Sequence, residues 1–317
     1  MKKILIAVGM IFCVAAPAMA GDLKISGSVE LQYRHGVDNL VTDGNDGFKT
    51  EELYIKIEKE VADNISVMIK LDAADLDEND GNTEDVVEEA QVIFKNVLNA
   101  PLTIYVGKDE MPWIQDYEKF LFSSEVHGKE VDKVYGVHGQ YKIEGFGSLD
   151  LAIYERNTLN KNVADVDTSV NESLTARLKA NKLVENLSLS VGFMKEGQND
   201  ADLAETNDEI GVSIAGKYKW NDLTIHAELV NINKHDGISE EDIIQAGLDY
   251  KIGKWLLKGR YETVDNDKAT GDDDTFTALG ISYYFNKKAY IVIEHEIADP
   301  DVGTKTDETM IGLALKY

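Results

Sequence analysis

The chain has six histidines, no histidine-serine motif and a single cysteine, Cys13, so few side chains are placed for covalent chemistry. His138 and His226 are the two histidines whose neighbours put them on a polar face. A hydrolase would need a Ser/His or Asp/His constellation around one of them. No serine-centred motif accompanies either, and a lone histidine on such a face serves as polar lining. The acidic clusters raise a second chemistry, calcium binding. Asp75, Asp77, Asn79 and Asp80 precede Gly81. The glycine falls one place late for an EF-hand, and Val86 stands where the closing glutamate belongs. Asp272-Asp273-Asp274 has no ligand register either. Divalent bridges to lipopolysaccharide phosphates are the alternative there, and solvated charge is the simpler reading. No metal site and no cofactor are expected.

Charge excludes more than these motifs propose. Asp and Glu number 58 against 32 Lys and Arg, a net charge of -26. Nucleic-acid binding needs a basic footprint, which is missing. Docking on anionic headgroups is disfavoured for the same reason. The longest uninterrupted polar-apolar stretch, 109–130, concentrates what remains. It mixes Met111, Pro112, Trp113, Ile114, Phe120, Leu121 and Phe122 with Asp109, Glu110, Asp116, Glu118 and Glu125.

The elements that must position these groups are legible as a period of two. Leu23, Ile25, Val29, Leu31 and Tyr33 alternate with Lys24, Ser26, Ser28, Glu30, Gln32 and Arg34. Such alternation is a strand with one apolar and one polar face. It recurs to the last segment, where Ile311, Leu313, Leu315 and Tyr317 oppose Gly312, Ala314 and Lys316. Sixteen such segments run from 23–34 to 308–317, most near the ten residues a tilted strand needs to cross a bilayer. Their connections alternate as well. Short ones such as Ala62-Asp63-Asn64, Trp220-Asn221-Asp222 and Ile252-Gly253-Lys254 have tight-turn composition. Long acidic ones occupy 35–48, 74–85, 109–130, 157–171, 196–207, 232–241, 265–273 and 298–307.

Residues 1–20 read as a separate secretory signal: Lys2 and Lys3, an apolar run from Ile4 to Ala16, and an Ala18-Met19-Ala20 cleavage site. The run is too short for a membrane-spanning helix. Residues 21–317 then form an all-β unit. An open sheet of sixteen strands would leave reactive edges, and pairing the first strand with the last removes them. A soluble sandwich with the same alternation is the alternative. It fits poorly, because the apolar parity stays rich in Leu, Ile and Val strand after strand while the polar parity carries charge. The expected fold is a transmembrane antiparallel up-and-down β-barrel of about sixteen strands, in which unpaired backbone is not tolerated. Trp220, Trp255, Tyr218, Tyr250, Tyr283, Phe285 and Tyr141 fall beside the short turns, where an interfacial girdle belongs.

On this parity every arginine faces inward: Arg34, Arg156, Arg177 and Arg260, joined by Lys56, Lys70, Lys179 and Lys217. A lipid-facing Arg or Lys costs about 2–4 kcal/mol at mid-depth, which alone would place them. Inside, they make a basic wall facing the acidic stretch 109–130.

The opening strand with Gly27, the Ala18-Met19-Ala20 signal and the strand ending in Tyr317 resemble those of Gram-negative outer-membrane porins. The passage Pro101-Leu102-Thr103-Ile104-Tyr105-Val106-Gly107-Lys108-Asp109-Glu110-Met111-Pro112-Trp113 is similar to their fifth-strand-to-loop passage, phosphate-selective and siderophore porins included. The resemblance implies an outer-membrane location and loop 109–130 folded into the lumen as a constriction. It implies Tyr317 as a terminal signal read by the assembly machinery, contact with lipid and lipopolysaccharide, and a homotrimer. The implied activity is passive diffusion of ions and small hydrophilic solutes; the loop acids add a modest cation preference. A phosphate-, oxyanion- or siderophore-specific channel is the alternative, ahead of a barrel-embedded hydrolase or an adhesive barrel.

Overall fold

The computed structural model describes residues 23–36, 47–72, 86–115, 124–155, 172–199, 206–234, 240–265, 273–300 and 305–316. The signal-peptide reading of 1–20, Asp116, Glu118, Arg156, Tyr317 and most of both acidic clusters lie outside these residues.

The first eight strands are β1 (Leu23–Gly36), β2 (Gly47–Ala62), β3 (Ile65–Asp72), β4 (Val87–Phe94), β5 (Leu102–Met111), β6 (Val131–Ile143), β7 (Gly147–Glu155) and β8 (Glu172–Ala180). The second eight are β9 (Leu187–Asn199), β10 (Thr206–Trp220), β11 (Leu223–Lys234), β12 (Glu240–Ile252), β13 (Trp255–Asp265), β14 (Asp273–Asn286), β15 (Ala289–Asp299) and β16 (Thr306–Lys316). Each pairs antiparallel with its sequence neighbours, and β1 closes on β16 in the register Ser28 opposite Lys316 and Tyr33 opposite Ile311. The sheet has no edge.

Side-chain placement separates this barrel from a soluble one. Along β10, Ile210, Val212 and Ile214 are exposed while Ser213 and Ala215 are buried. The same inversion recurs on β11, β13 and β15, where Glu228, Glu262 and Glu294 are buried and Ile225, Leu257 and Ile293 are exposed. Burying carboxylates while exposing Ile and Leu is costly in water and favourable only when the outer surface meets hydrocarbon. From Ile210 to Trp220 the outward residues span about 34 Å of strand, which a tilt near 40° reduces to the ~25 Å apolar band of outer-membrane barrels.

The short turns match their composition. Asn64, Asn186 and Asn221 take positive φ, a region asparagine tolerates, and Gly253 adopts φ 60 in the Gly253-Lys254 turn. Beside these turns Trp255 lies 4.7 Å from Tyr283, and Tyr283 5.4 Å from Phe285, centroid to centroid. Trp220, Tyr218, Tyr250 and Tyr141 are exposed at the same end.

Several strands run further toward the long loops than alternation alone indicates: β9 continues to Asn199, β11 to Lys234 and β5 to Met111. Beyond the apolar band both faces of a strand are polar, so the period of two disappears while backbone pairing continues. Asp109 and Glu110 are therefore strand residues of β5 and not loop residues.

Candidate functional site

The inner surface is built by one parity of each strand, and what lies against it defines the site. Met111 at the end of β5, and Trp113 and Ile114 beyond it, are buried, with exposures of 2%, 1% and 4%. The partners of this segment sit on strands three to eight places round the sheet from β5, reaching the far side of the barrel. Ser213 Oγ on β10 donates to Trp113 O at 2.9 Å. Arg177 Nη1 on β8 donates to Ile114 O at 2.6 Å. The Gln115 amide donates to Glu228 Oε1 on β11 at 3.0 Å. The returning limb is tied similarly: the Glu125 amide donates to Glu262 Oε1 on β13 at 2.9 Å, and Lys129 Nζ meets Glu241 on β12 at 2.7 Å. Trp113 Nε1 donates to Lys129 O at 2.8 Å, pinning the two limbs together.

Trp113 sits in a socket made by two glycines. A β-carbon at Gly192 on β9 would lie 1.5 Å from Trp113 O, and one at Gly211 on β10 would lie 2.7 Å from the indole ring. Around it Met111, Ile114, Val126, Tyr154, Met194, Val230 and Ile232 form an apolar cluster inside the barrel. A carboxylate or arginine accepting or donating to these loop amides is a strong, directional tie, because one partner is charged.

Beside this cluster, a cavity of about 290 Å³ is lined by Lys56, Glu58, Glu89, Asp109, Glu110, His138 and Arg177, among others. The wall cations are matched by wall carboxylates. Lys70 pairs with Glu88 and Arg260 with Glu296. Lys258 pairs with Glu294, whose side chain is fully buried. Lys56 Nζ lies 3.7 Å from Glu89, and Arg177 Nε 3.8 Å from Asp150. The expected basic wall is thus a wall of alternating charge at mid-depth, with short-range fields between neighbouring strands.

Of the residues singled out from sequence, Asp109, Glu110, Lys56 and Arg177 share one cavity. Glu125 anchors the returning limb through its backbone. Lys70 lies on the adjoining β3, and Arg260 is across the lumen on β13. Lys179 points inward nearer the short turns; Lys217 is opposite Ser188 and His226 on neighbouring strands. Arg34 lies on β1 opposite Met310. Sequence reasoning missed the carboxylates Glu89, Glu228, Glu262, Glu294 and Glu296, although each falls on the inward parity that located the arginines. It also missed Gly192 and Gly211, whose role emerges only from the contact with Trp113.

His138 stacks on Tyr105 with centroids 4.9 Å apart and places Nε2 3.3 Å from Asp150. Ser148 Oγ also donates to Asp150, at 3.3 Å, so the hydroxyl addresses the carboxylate and not the imidazole. That is a polar lining network and lacks the serine–imidazole contact of a nucleophilic dyad. Among the described residues no group of three or more His, Cys, Asp or Glu is placed to hold a metal ion.

A closed barrel, apolar outside and charged inside with chain crossing its interior, is the architecture of an outer-membrane channel protein. Residues 5–299 match the Gram-negative porin family, and the chain belongs to it. Its location is accordingly the outer membrane. Solved structures agree in fold. A form of the Vibrio cholerae outer membrane protein OmpT lacking loop L8 superposes with a TM-score of 0.70 at 17% identity, over 94% of this chain and 100% of that one. The anion-selective porin of Comamonas acidovorans gives 0.69 at 11% identity, over 94% and 100%. The Acinetobacter baumannii outer membrane channel DcaP gives 0.70 at 15%, over 94% and 97%. No curated protein sequence matches the chain.

Proposed function

We propose that the chain forms a water-filled pore for passive diffusion of ions and small hydrophilic solutes, narrowed by segment 109–130 and modestly selective for cations. The observation that carries this reading is the set of ties from Trp113, Ile114, Gln115 and Glu125 to inward side chains of β8, β10, β11 and β13. A loop held there occupies cross-section that solutes would otherwise use. Cation preference rests on Asp109 and Glu110 at the loop root, with Asp116 and Glu118 further along it, since acidic rings favour cation passage. The wall cations are mostly neutralised by their own carboxylates, so they oppose that bias weakly. Transport and not catalysis is the proposed role. A homotrimer is the proposed assembly, supported by a trimeric form among the structural neighbours, the Vibrio cholerae OmpT. Lipopolysaccharide and the outer-membrane assembly machinery are its proposed partners.

An oxyanion-specific channel is the second reading, favoured by Arg177 and Lys179 projecting inward two residues apart on β8. Reversal potentials in a planar bilayer under a tenfold KCl gradient separate the two. The expected sign is that of a cation-selective pore, reduced when Glu110, Asp116 and Glu118 become Gln. Anion selectivity in dilute salt, unchanged in that variant, would favour the second reading.

A further inference from the structure

At the short-turn end the inner surface changes character. Lys142, Lys179, Lys219 and Lys251 close β6, β8, β10 and β12 on the inward parity, and Lys254 and Lys287 stand in the adjoining turns. Among the described residues none of these six forms an ion pair, whereas Lys56, Lys70, Lys258 and Arg260 at mid-depth all do. Backbone bonds hold neighbouring turns together here. The Lys219 amide donates to Asn186 O at 2.9 Å, the Lys251 amide to Asp222 O at 3.0 Å, and the Tyr284 amide to Lys254 O at 2.9 Å. Between them lies a vestibule of about 580 Å³, lined by Lys219, Lys251, Lys254 and Lys287 against Asp222 and Asp249. The opposite rim is acidic: Glu209, Glu240, Glu241, Asp242, Asp265 and Glu308 lie at the long-loop ends of β10, β12, β13 and β16.

We propose that this basic vestibule is an anion-concentrating mouth in series with the acidic rim, so that the pore conducts asymmetrically. The proposal rests on the diffusion-pore reading above. With the long-loop side positive, cations enter through the acidic rim and anions through the lysine mouth, each favoured at its own entrance, and carriers accumulate. With the polarity reversed each ion must enter past like charge, and the pore is depleted. The four lysines and two aspartates of the vestibule leave a net charge of two. At ~10 Å in water, screened over one Debye length at 0.1 M salt, that charge raises local anion concentration by roughly 1.7-fold. A ratio of about two between currents of opposite sign is expected at 0.1 M KCl. At 1 M, where the Debye length is about 3 Å, the ratio should approach one.

Single-channel currents at ±100 mV test this, with sidedness fixed by labelling Asn221→Cys with an impermeant thiol reagent. Expected support is a larger current with the long-loop side positive in dilute salt, falling to a ratio near one in the Lys219→Gln, Lys251→Gln, Lys254→Gln, Lys287→Gln variant. Inorganic tripolyphosphate added to the short-turn side should reduce the current at lower concentration than from the other side. Of the four, Lys254 also lies over the Tyr283 ring at 5.9 Å, so the pair Lys219→Gln, Lys251→Gln alone should lower the ratio measurably if the fourfold variant assembles poorly. Open channels with symmetric currents at 0.1 M, or rectification unchanged by the substitutions, would overturn the proposal and leave the pore intact. Absence of any channel would remove both.

Discussion

Gly192→Ala adds one methyl group to a chain of 317 residues and should alter conduction. The new carbon would lie 1.5 Å from Trp113 O and 2.5 Å from Ser213 Oγ. Ordinary contact is about 3.5 Å, so the loop backbone must retreat by about 2 Å from the wall. That displacement breaks the 2.9 Å bond from Ser213 and the 2.6 Å bond from Arg177 to the next carbonyl. A neutral hydrogen bond contributes about 1 kcal/mol and one from a charged donor about 2 kcal/mol, so docking of the loop weakens by roughly 3 kcal/mol, more than a hundredfold in its equilibrium. Single-channel recording in 1 M KCl is the assay, because high salt suppresses charge effects and leaves geometry. The expected result is a changed unitary conductance with added gating noise, while heat-modifiable migration still reports a folded barrel. Gly139→Ala is the control, since its β-carbon would find nothing closer than 3.9 Å. If Gly192→Ala and the parent chain were indistinguishable in conductance, the idea that Trp113 is seated on this glycine and sets the aperture would be refuted.

Other perturbations probe separate parts. Lys258→Met removes the cation paired with the fully buried Glu294 and should lower stability by about 3 kcal/mol in urea-unfolding assays from lipid vesicles, with Glu294→Met in addition recovering most of the loss. Leu279→Lys, at an outward position 61% exposed near the middle of β14, should cost about 2–4 kcal/mol in the same assay, and a negligible change would argue against lipid at that surface. Trp113→Ala removes a residue 1% exposed together with its 2.8 Å bond to Lys129; proteolysis of the loop should become faster while the barrel persists.

Strand number, parity and closure were legible because a bilayer imposes one rule on every strand: apolar outward, anything else inward. Ile210, Val212 and Ile214 carry that rule in the sequence as plainly as in space. Strand ends near the long loops were not legible, since neither face is constrained once the chain leaves the apolar band; Asp109 and Glu110 were read as loop for this reason. The inward cations were found from parity, yet their neutralisation was not, because Arg260 and Glu296 are 36 residues apart and meet only through the registers of β13, β14 and β15. Trp113 was visible as an apolar residue in an acidic stretch. Its seat was invisible, as Gly192 and Gly211 announce nothing until the loop is laid against them.

Liposome swelling with a graded series of neutral sugars tests diffusion through a narrowed aqueous pore most directly. The expected rates fall smoothly with solute size and rise in proportion to the concentration gradient, without saturation. A rate that saturates for one solute, or vesicles that admit not even the smallest sugar, would contradict a passive diffusion channel.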